Sequence, residues 1–154
     1  MNDVMVWVHA DRLSPSNEAL LAYPEAPGVF VFDDLVLNGY GVSLNRIQFI
    51  YECLLEVPVR ILRGNPMLVL VDEANRAGAS HIVTTWTPAP RFQQIVERIE
   101  SQVAVEVLRP RPFVDVDDSL DLKRFSRFWQ KVKTQVLTSD GLPRAITLPG
   151  LDLD

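Results

Sequence analysis

Five short apolar runs punctuate the first two thirds of the chain, and they constrain its fold more than any other feature. They fall at residues 4–8, 28–32, 59–62, 81–85 and 103–108. All but the third are rich in β-branched or aromatic side chains. Little strict polar alternation is visible in them, which is how strands covered on both faces read. Between the runs, apolar residues recur with the helical period. Leu44, Ile47, Ile50/Tyr51 and Leu54 form one stripe; Met67, Leu70/Val71, Ala74 and Ala77 a second; Phe92, Ile95, Val96, Ile99 and Val103 a third. Strand, helix, strand in this rhythm is a βαβ pattern, and right-handed crossovers turn it into a parallel sheet. The expected fold is α/β: a doubly wound, Rossmann-like, five-stranded parallel sheet in the order 3-2-1-4-5, with helices on both faces. Its switch point falls between the first and fourth strands.

Local signals mark some boundaries. Asn65 can cap a helix whose first residue is Pro66, and Gly78 closes it. Ser14 before Pro15 and Thr87 before Pro88 offer the same start. Asn38-Gly39-Tyr40-Gly41 reads as a turn, and Arg63-Gly64-Asn65-Pro66 as a strand-to-helix turn. After the fifth strand, Arg109-Pro110-Arg111-Pro112 reads as an extended connector. Asp115, Asp117, Asp118 and Asp121 follow, as solvated loop and helix-start acids. They lack the glycine and closing glutamate of a calcium loop. A last helix carries Leu122, Phe125, Trp129, Val132 and Val136 on one stripe, with Phe128 beside it. These signals divide the chain into an α/β domain over residues 1–138 and an irregular tail over 139–154.

Composition narrows the function classes. With 154 residues the chain is about one domain long, enough to bury a core without staples. Cys53 is the single cysteine, so an internal disulfide and a cysteine-based zinc cluster are both excluded. Its neighbours Tyr51, Leu54 and Leu55 suggest a buried, inert thiol. The two histidines, His9 and His81, stand far apart, and no metal site is expected; His81, at the start of a strand, reads as structural. A net charge of −5 with no long Lys/Arg run makes direct DNA binding unexpected. No segment approaches the ~18–20 apolar residues of a membrane span. The start of the chain lacks a basic signal-peptide region, so the expected compartment is the cytoplasm.

Ligands of open parallel sheets sit outside the carboxyl ends of the strands, at the switch point. The first strand delivers His9, Asp11 and Arg12 there, and the second Asp33 and Asp34. The fourth delivers Thr85, Trp86 and Thr87, with Arg91 soon after. No glycine follows the first strand, so neither a dinucleotide fingerprint nor a Walker loop is present. No nucleophile elbow exists, and no catalytic residue is assigned. His9, beside Asp11, is placed to titrate near neutrality. Trp86 either stacks on a flat ring or plugs the top of the sheet.

The residues 6–20, Val-Trp-Val-His-Ala-Asp-Arg-Leu-Ser-Pro-Ser-Asn-Glu-Ala-Leu, resemble the opening of the photolyase/cryptochrome family, with Trp7, Asp11, Asn17, Ala19 and Leu20 in register. Ser43, Arg46, Phe49, Glu52 and Leu54 resemble its next helix. Leu62-Arg63-Gly64-Asn65-Pro66 resembles its Leu-x-Gly-Asp/Asn-Pro turn, and Phe125-Ser126-Arg127-Phe128-Trp129 the segment that closes its amino-terminal domain. The resemblance covers residues 4–136. It implies an amino-terminal α/β domain of the kind that holds a folate, deazaflavin or flavin-type chromophore, without the helical domain that binds flavin adenine dinucleotide and performs the photochemistry. His9 and Ala10 stand where the family prefers arginines, Leu13 replaces another, and Ser16 replaces an aspartate. The connection at Glu56-Val57-Pro58 is shorter than the family's.

The expected function is a photolyase-related α/β module that binds a ligand or docks on another chain, rather than a self-sufficient repair enzyme. Its candidate ligand residues are His9, Asp11, Arg12, Asp33, Asp34, Arg46, Thr85, Trp86 and Arg91. A homodimer or a partner protein is expected, with Phe128 the candidate interface residue. The alternatives are a subunit of a split photolyase, whose helical half is a separate chain, and a nucleotide-binding stress-type protein. Against the latter, the loop after the fourth strand, Thr85-Trp86-Thr87-Pro88-Ala89-Pro90, lacks a phosphate-binding glycine cluster.

Overall fold

The computed structural model describes residues 3–110, 112–114 and 123–137. The chain forms two compact units, Met1–Pro110 and Arg111–Asp154. The first contains all five strands: β1 (Val4–Val8), β2 (Gly28–Asp33), β3 (Val59–Gly64), β4 (His81–Thr85) and β5 (Ala104–Leu108). They pair in parallel in the expected order, β3-β2-β1-β4-β5. The helices are α1 (Glu18–Ala22), α2 (Asp34–Gly39), α3 (Leu44–Leu54), α4 (Pro66–Ala77) and α5 (Pro90–Ile99), with one 3-10 turn at Ala10–Arg12.

Alternation along the strands sorts side chains into two cores. Met5, Trp7, Val29, Val31 and Ile82 join Leu70 and Ala74 of α4 and Phe92, Ile95, Val96 and Ile99 of α5. On the opposite face Val6, Val8, Phe30 and Val83 meet Ala19 and Leu20 of α1, Leu54 of α3 and Val57. Glu73 ties α4 to the β3 edge: it is buried, and accepts from Arg60 at 2.8 Å and from Arg76 at 2.9 Å. Gly28 is required where β2 meets the start of β3, because a Cβ there would lie 2.6 Å from the Pro58 carbonyl oxygen.

Asn65 caps α4 through Met67 N, Pro66 opens it, and Gly78 closes it in the left-handed region at φ 68°, as expected. Two other expected caps are corrected. Asn17, not Ser14, caps α1, because the 3-10 turn postpones the helix; the Ser14 hydroxyl turns to Ser16 instead. Thr87 does not cap α5, which begins at Pro90 behind Ala89 with no side-chain cap.

The α3 stripe is corrected too. Leu54 alone is buried, Ile47 and Ile50 are half-buried, and Leu44 and Tyr51 face solvent. Cys53 is half-buried rather than enclosed. In the second unit, α6 (Phe125–Val136) buries Val132, while Phe128 and Trp129 are half-buried. Phe125 stacks on Trp129 but is exposed, contrary to its expected place on the covered stripe. Leu122, the four aspartates between 115 and 121, and the 138/139 boundary with its tail lie outside the described residues.

Candidate functional site

The switch-point crest is built from three strand ends. The His9 ring, directly after β1, packs against Trp7 and Phe92, with centroids at 5.7 and 5.1 Å. Its Nε2–H donates to the Thr85 carbonyl at 2.7 Å, which fixes the tautomer of the neutral ring. Burial pushes the His9 pKa below the ordinary histidine value, and Arg12 adds to that. The Thr85 hydrogen bond and the Asp11 charge oppose the shift without reversing it. Neutral His9 is therefore a fixed wall of the crest.

Beside it, the Thr87 hydroxyl donates to Asp11 Oδ2 at 2.9 Å, tying the loop after β1 to the loop after β4. Arg91, at the start of α5, reaches across to the end of β2, where its Nε donates to Asp33 Oδ2 at 2.7 Å. The other oxygen of Asp33 accepts from Leu35 N and so caps α2. Asp34 points elsewhere, to Arg63 Nε at 2.7 Å and largely in solvent. Of the expected residues, the structure thus joins His9 to Thr85, Asp11 to Thr87 and Asp33 to Arg91. Thr85 reaches the crest through its carbonyl only, since its buried hydroxyl donates to Asn17 Oδ1. The guanidinium of Arg12 has no ion-pair partner among the described residues. Arg46 stands on the exposed side of α3, outside this network.

Asn17 organises the floor. It is 2% exposed, and its Oδ1 accepts from Ala19 N, Leu20 N and the Thr85 hydroxyl while Nδ2 donates to the Arg12 carbonyl. One amide thereby saturates the start of α1, the end of β4 and the loop after β1. Among the described residues no buried side-chain polar atom lacks a partner. The sequence signal for Asn17 was its register in the family-like opening; its structural reach was not readable.

The open space lies to one side, between α5 and β5. Trp86, half-buried, carries the Arg109 guanidinium over its indole at 5.0 Å to the ring centroid. Phe92, Gln93, Val96, Glu97 and Val107 complete a shallow depression of about 290 Å³. That volume is at the small end of ligand cavities. Arg109 is exposed and brings a cation to this lining beside Glu97 and Gln93. The single-residue signals here, Trp86 apart, were missed because Gln93, Glu97 and Arg109 look like ordinary surface residues in sequence. Among the described residues no cluster of His, Cys, Asp or Glu is suited to a metal ion. No described helix is long and apolar enough to cross a membrane.

Fold and crest together define a Rossmann-like α/β domain. The solved structures it is similar to include a bacterial class III photolyase from Agrobacterium tumefaciens, with TM-score 0.55 and 17% identity over 85% of this chain and 31% of that one. The chain thus spans less than a third of that photolyase's length. A second similarity is to hypothetical protein MJ0577, with TM-score 0.46 and 14% identity over 73% of this chain and 99% of that one. No family model and no curated protein matches the sequence.

Proposed function

We propose that the chain is a photolyase-related binding module that takes a flat, anionic heteroaromatic ligand of the folate, deazaflavin, flavin or nucleotide kind, and that it makes and breaks no bonds itself. The observation that carries this reading is the Trp86–Arg109 pair at the lip of the depression on α5 and β5. An aromatic ring stacks on such a pair through dispersion and cation–π attraction, worth roughly 0.5–2 kcal/mol for each face. The ligand's anionic group is met by Arg109, or by Arg12 on the crest, which has no ion-pair partner among the described residues. Recognition by side chains suits the loop after β4, which has prolines in place of a glycine cradle for phosphate.

The crest supports the site rather than contacting every ligand atom. His9, Asp11, Asp33 and Arg91 are spent on one another and on Thr85 and Thr87, so they fix the strand ends that present Trp86. Such a module would serve light harvesting or assembly, in the cytoplasm.

The test is a panel of reduced and oxidised folates, flavin mononucleotide, a deazaflavin and adenine nucleotides. Purified protein is expected to be stabilised thermally by at least one class, and to lose that response in Trp86→Leu and Arg109→Ala. Equal responses in both variants and the native chain would defeat the assignment.

A further inference from the structure

Of the large apolar side chains that the described residues leave exposed, most come from one stretch: Leu35, Tyr40, Leu44, Phe49, Tyr51 and Leu55. Within it, α3 is an eleven-residue helix that buries only Leu54. A helix this apolar and this little covered is unusual on a soluble surface, and such patches mark contact surfaces. The charges on α3 say what kind of contact.

Arg46, Phe49 and Glu52 follow one another at three-residue steps, which places them along one side of the helix. Phe49 is 64% exposed. Arg46 is exposed and has no ion-pair partner among the described residues. Glu52 is held on that side by Gln48, whose Nε2 donates to its Oε1 at 2.9 Å, leaving the other oxygen available. The sequence of charges is therefore antisymmetric about Phe49: a cation three residues before it and an anion three residues after.

We infer that this face of α3 binds the same face of a second copy, with the two helices antiparallel and a two-fold axis at Phe49. A two-fold contact brings residue i of one copy to residue j of the other and j to i. With the axis at residue 49, Arg46 of each copy meets Glu52 of the other, and the two phenyl rings meet at the centre. Both ion pairs form at once, flanking an apolar contact that excludes water, and an antiparallel helix pair at 8–10 Å spacing brings these side chains within reach. A parallel pairing would set Arg46 against Arg46, and a partner lacking this order of charges would leave one pair unmade. The copies each carry a net charge of −5, so their general repulsion makes the two local pairs decisive for register.

Sedimentation equilibrium of the whole chain tests this through charge reversal. The native chain is expected to dimerise reversibly in the micromolar range. Phe49→Asp, Arg46→Glu and Glu52→Arg should each weaken the dimer by about tenfold or more, as loss of a central contact does. The double variant R46E/E52R restores opposite charges across the axis and should recover most of the native association. In a Cys53→Ser background, Phe49→Cys should form an oxidised, disulfide-linked dimer, since the axis brings residue 49 to itself. All the changed side chains are solvent-facing or half-buried, and circular dichroism verifies that each variant is folded. A native chain that stays monomeric at several hundred micromolar overturns the inference. So does a double variant no better than its single parents, which would place the contact elsewhere, Phe128 included.

Discussion

The two faces of the sheet are covered to different degrees. On one, α4 and α5 lay down Leu70, Ala74, Phe92, Ile95, Val96 and Ile99 as a continuous buried layer. On the other, α1 is five residues long and contributes Ala19 and Leu20, and α3 contributes Leu54. Both faces rest on the same strands. The difference teaches that an apolar helix pattern fixes the helix but not how much of it the fold will cover. On α5 the apolar residues fall on one buried stripe, and α4 leaves Leu68 exposed beside its buried Leu70 and Ala74; on α3 only Leu54 is buried, and Leu44, Phe49 and Tyr51 are left outside.

Truncation measures that contrast most directly. Leu70→Ala should cost about 2–5 kcal/mol in urea unfolding, because Leu70 is fully enclosed and its removal leaves a cavity. Phe49→Ala, which removes a larger side chain, should stay within about 0.5 kcal/mol at monomeric concentrations. Similar losses at the two sites would mean that α3 is packed as tightly as α4.

The floor of the crest joins the two faces, and its disruption ranks next. Asn17→Ala removes the α1 cap and the acceptor of the buried Thr85 hydroxyl together. A loss of about 2–3 kcal/mol is expected by thermal or urea unfolding, more than a surface cap alone is worth. A loss below 1 kcal/mol would show that the network is ornamental to stability.

The smallest effect is a pH dependence. Since the folded-state pKa of His9 lies below the unfolded value of about 6.5, the unfolded chain takes up its proton first as pH falls. The contribution to stability is whole above that pH, declines as pH drops towards the folded pKa, and declines no further below it. His9→Gln keeps a donor for the Thr85 carbonyl and carries no titrating group. The melting temperature of the native chain should therefore fall more than that of His9→Gln between pH 7.5 and 5.5.

Much of the architecture could be read before any coordinates. The five strands, their order and the Asn65–Pro66–Gly78 bracket of α4 follow from β-branched runs, crossover handedness and capping chemistry. The misread points have different causes. Ser14 and Thr87 each precede a proline, as good caps do, but other partners claimed both hydroxyls: Ser14 by nearby Ser16, Thr87 by distant Asp11. Sequence proximity carried no information about Asp11 and Thr87, which lie 76 positions apart. The candidate site was legible to the level of strand ends. Its residue pairs were not, since Arg91 meets Asp33 only because its neighbour Phe92 stacks on Trp7 of β1. Arg109, Glu97 and Gln93 escaped because an exposed charge acquires meaning only when an indole and a depression stand beside it.

Whether the α5–β5 depression is a ring-binding site is answered best by Trp86 fluorescence. Trp7 is buried in the sheet and Trp129 belongs to α6, so Trp86 is the tryptophan at the lip of the depression. Titrating the native chain and Trp86→Leu with a folate, a flavin and a nucleotide should give saturable quenching for at least one class in the native chain and none in the variant. Linear, unsaturated quenching of the same slope in both proteins would contradict a ring stacked at Trp86.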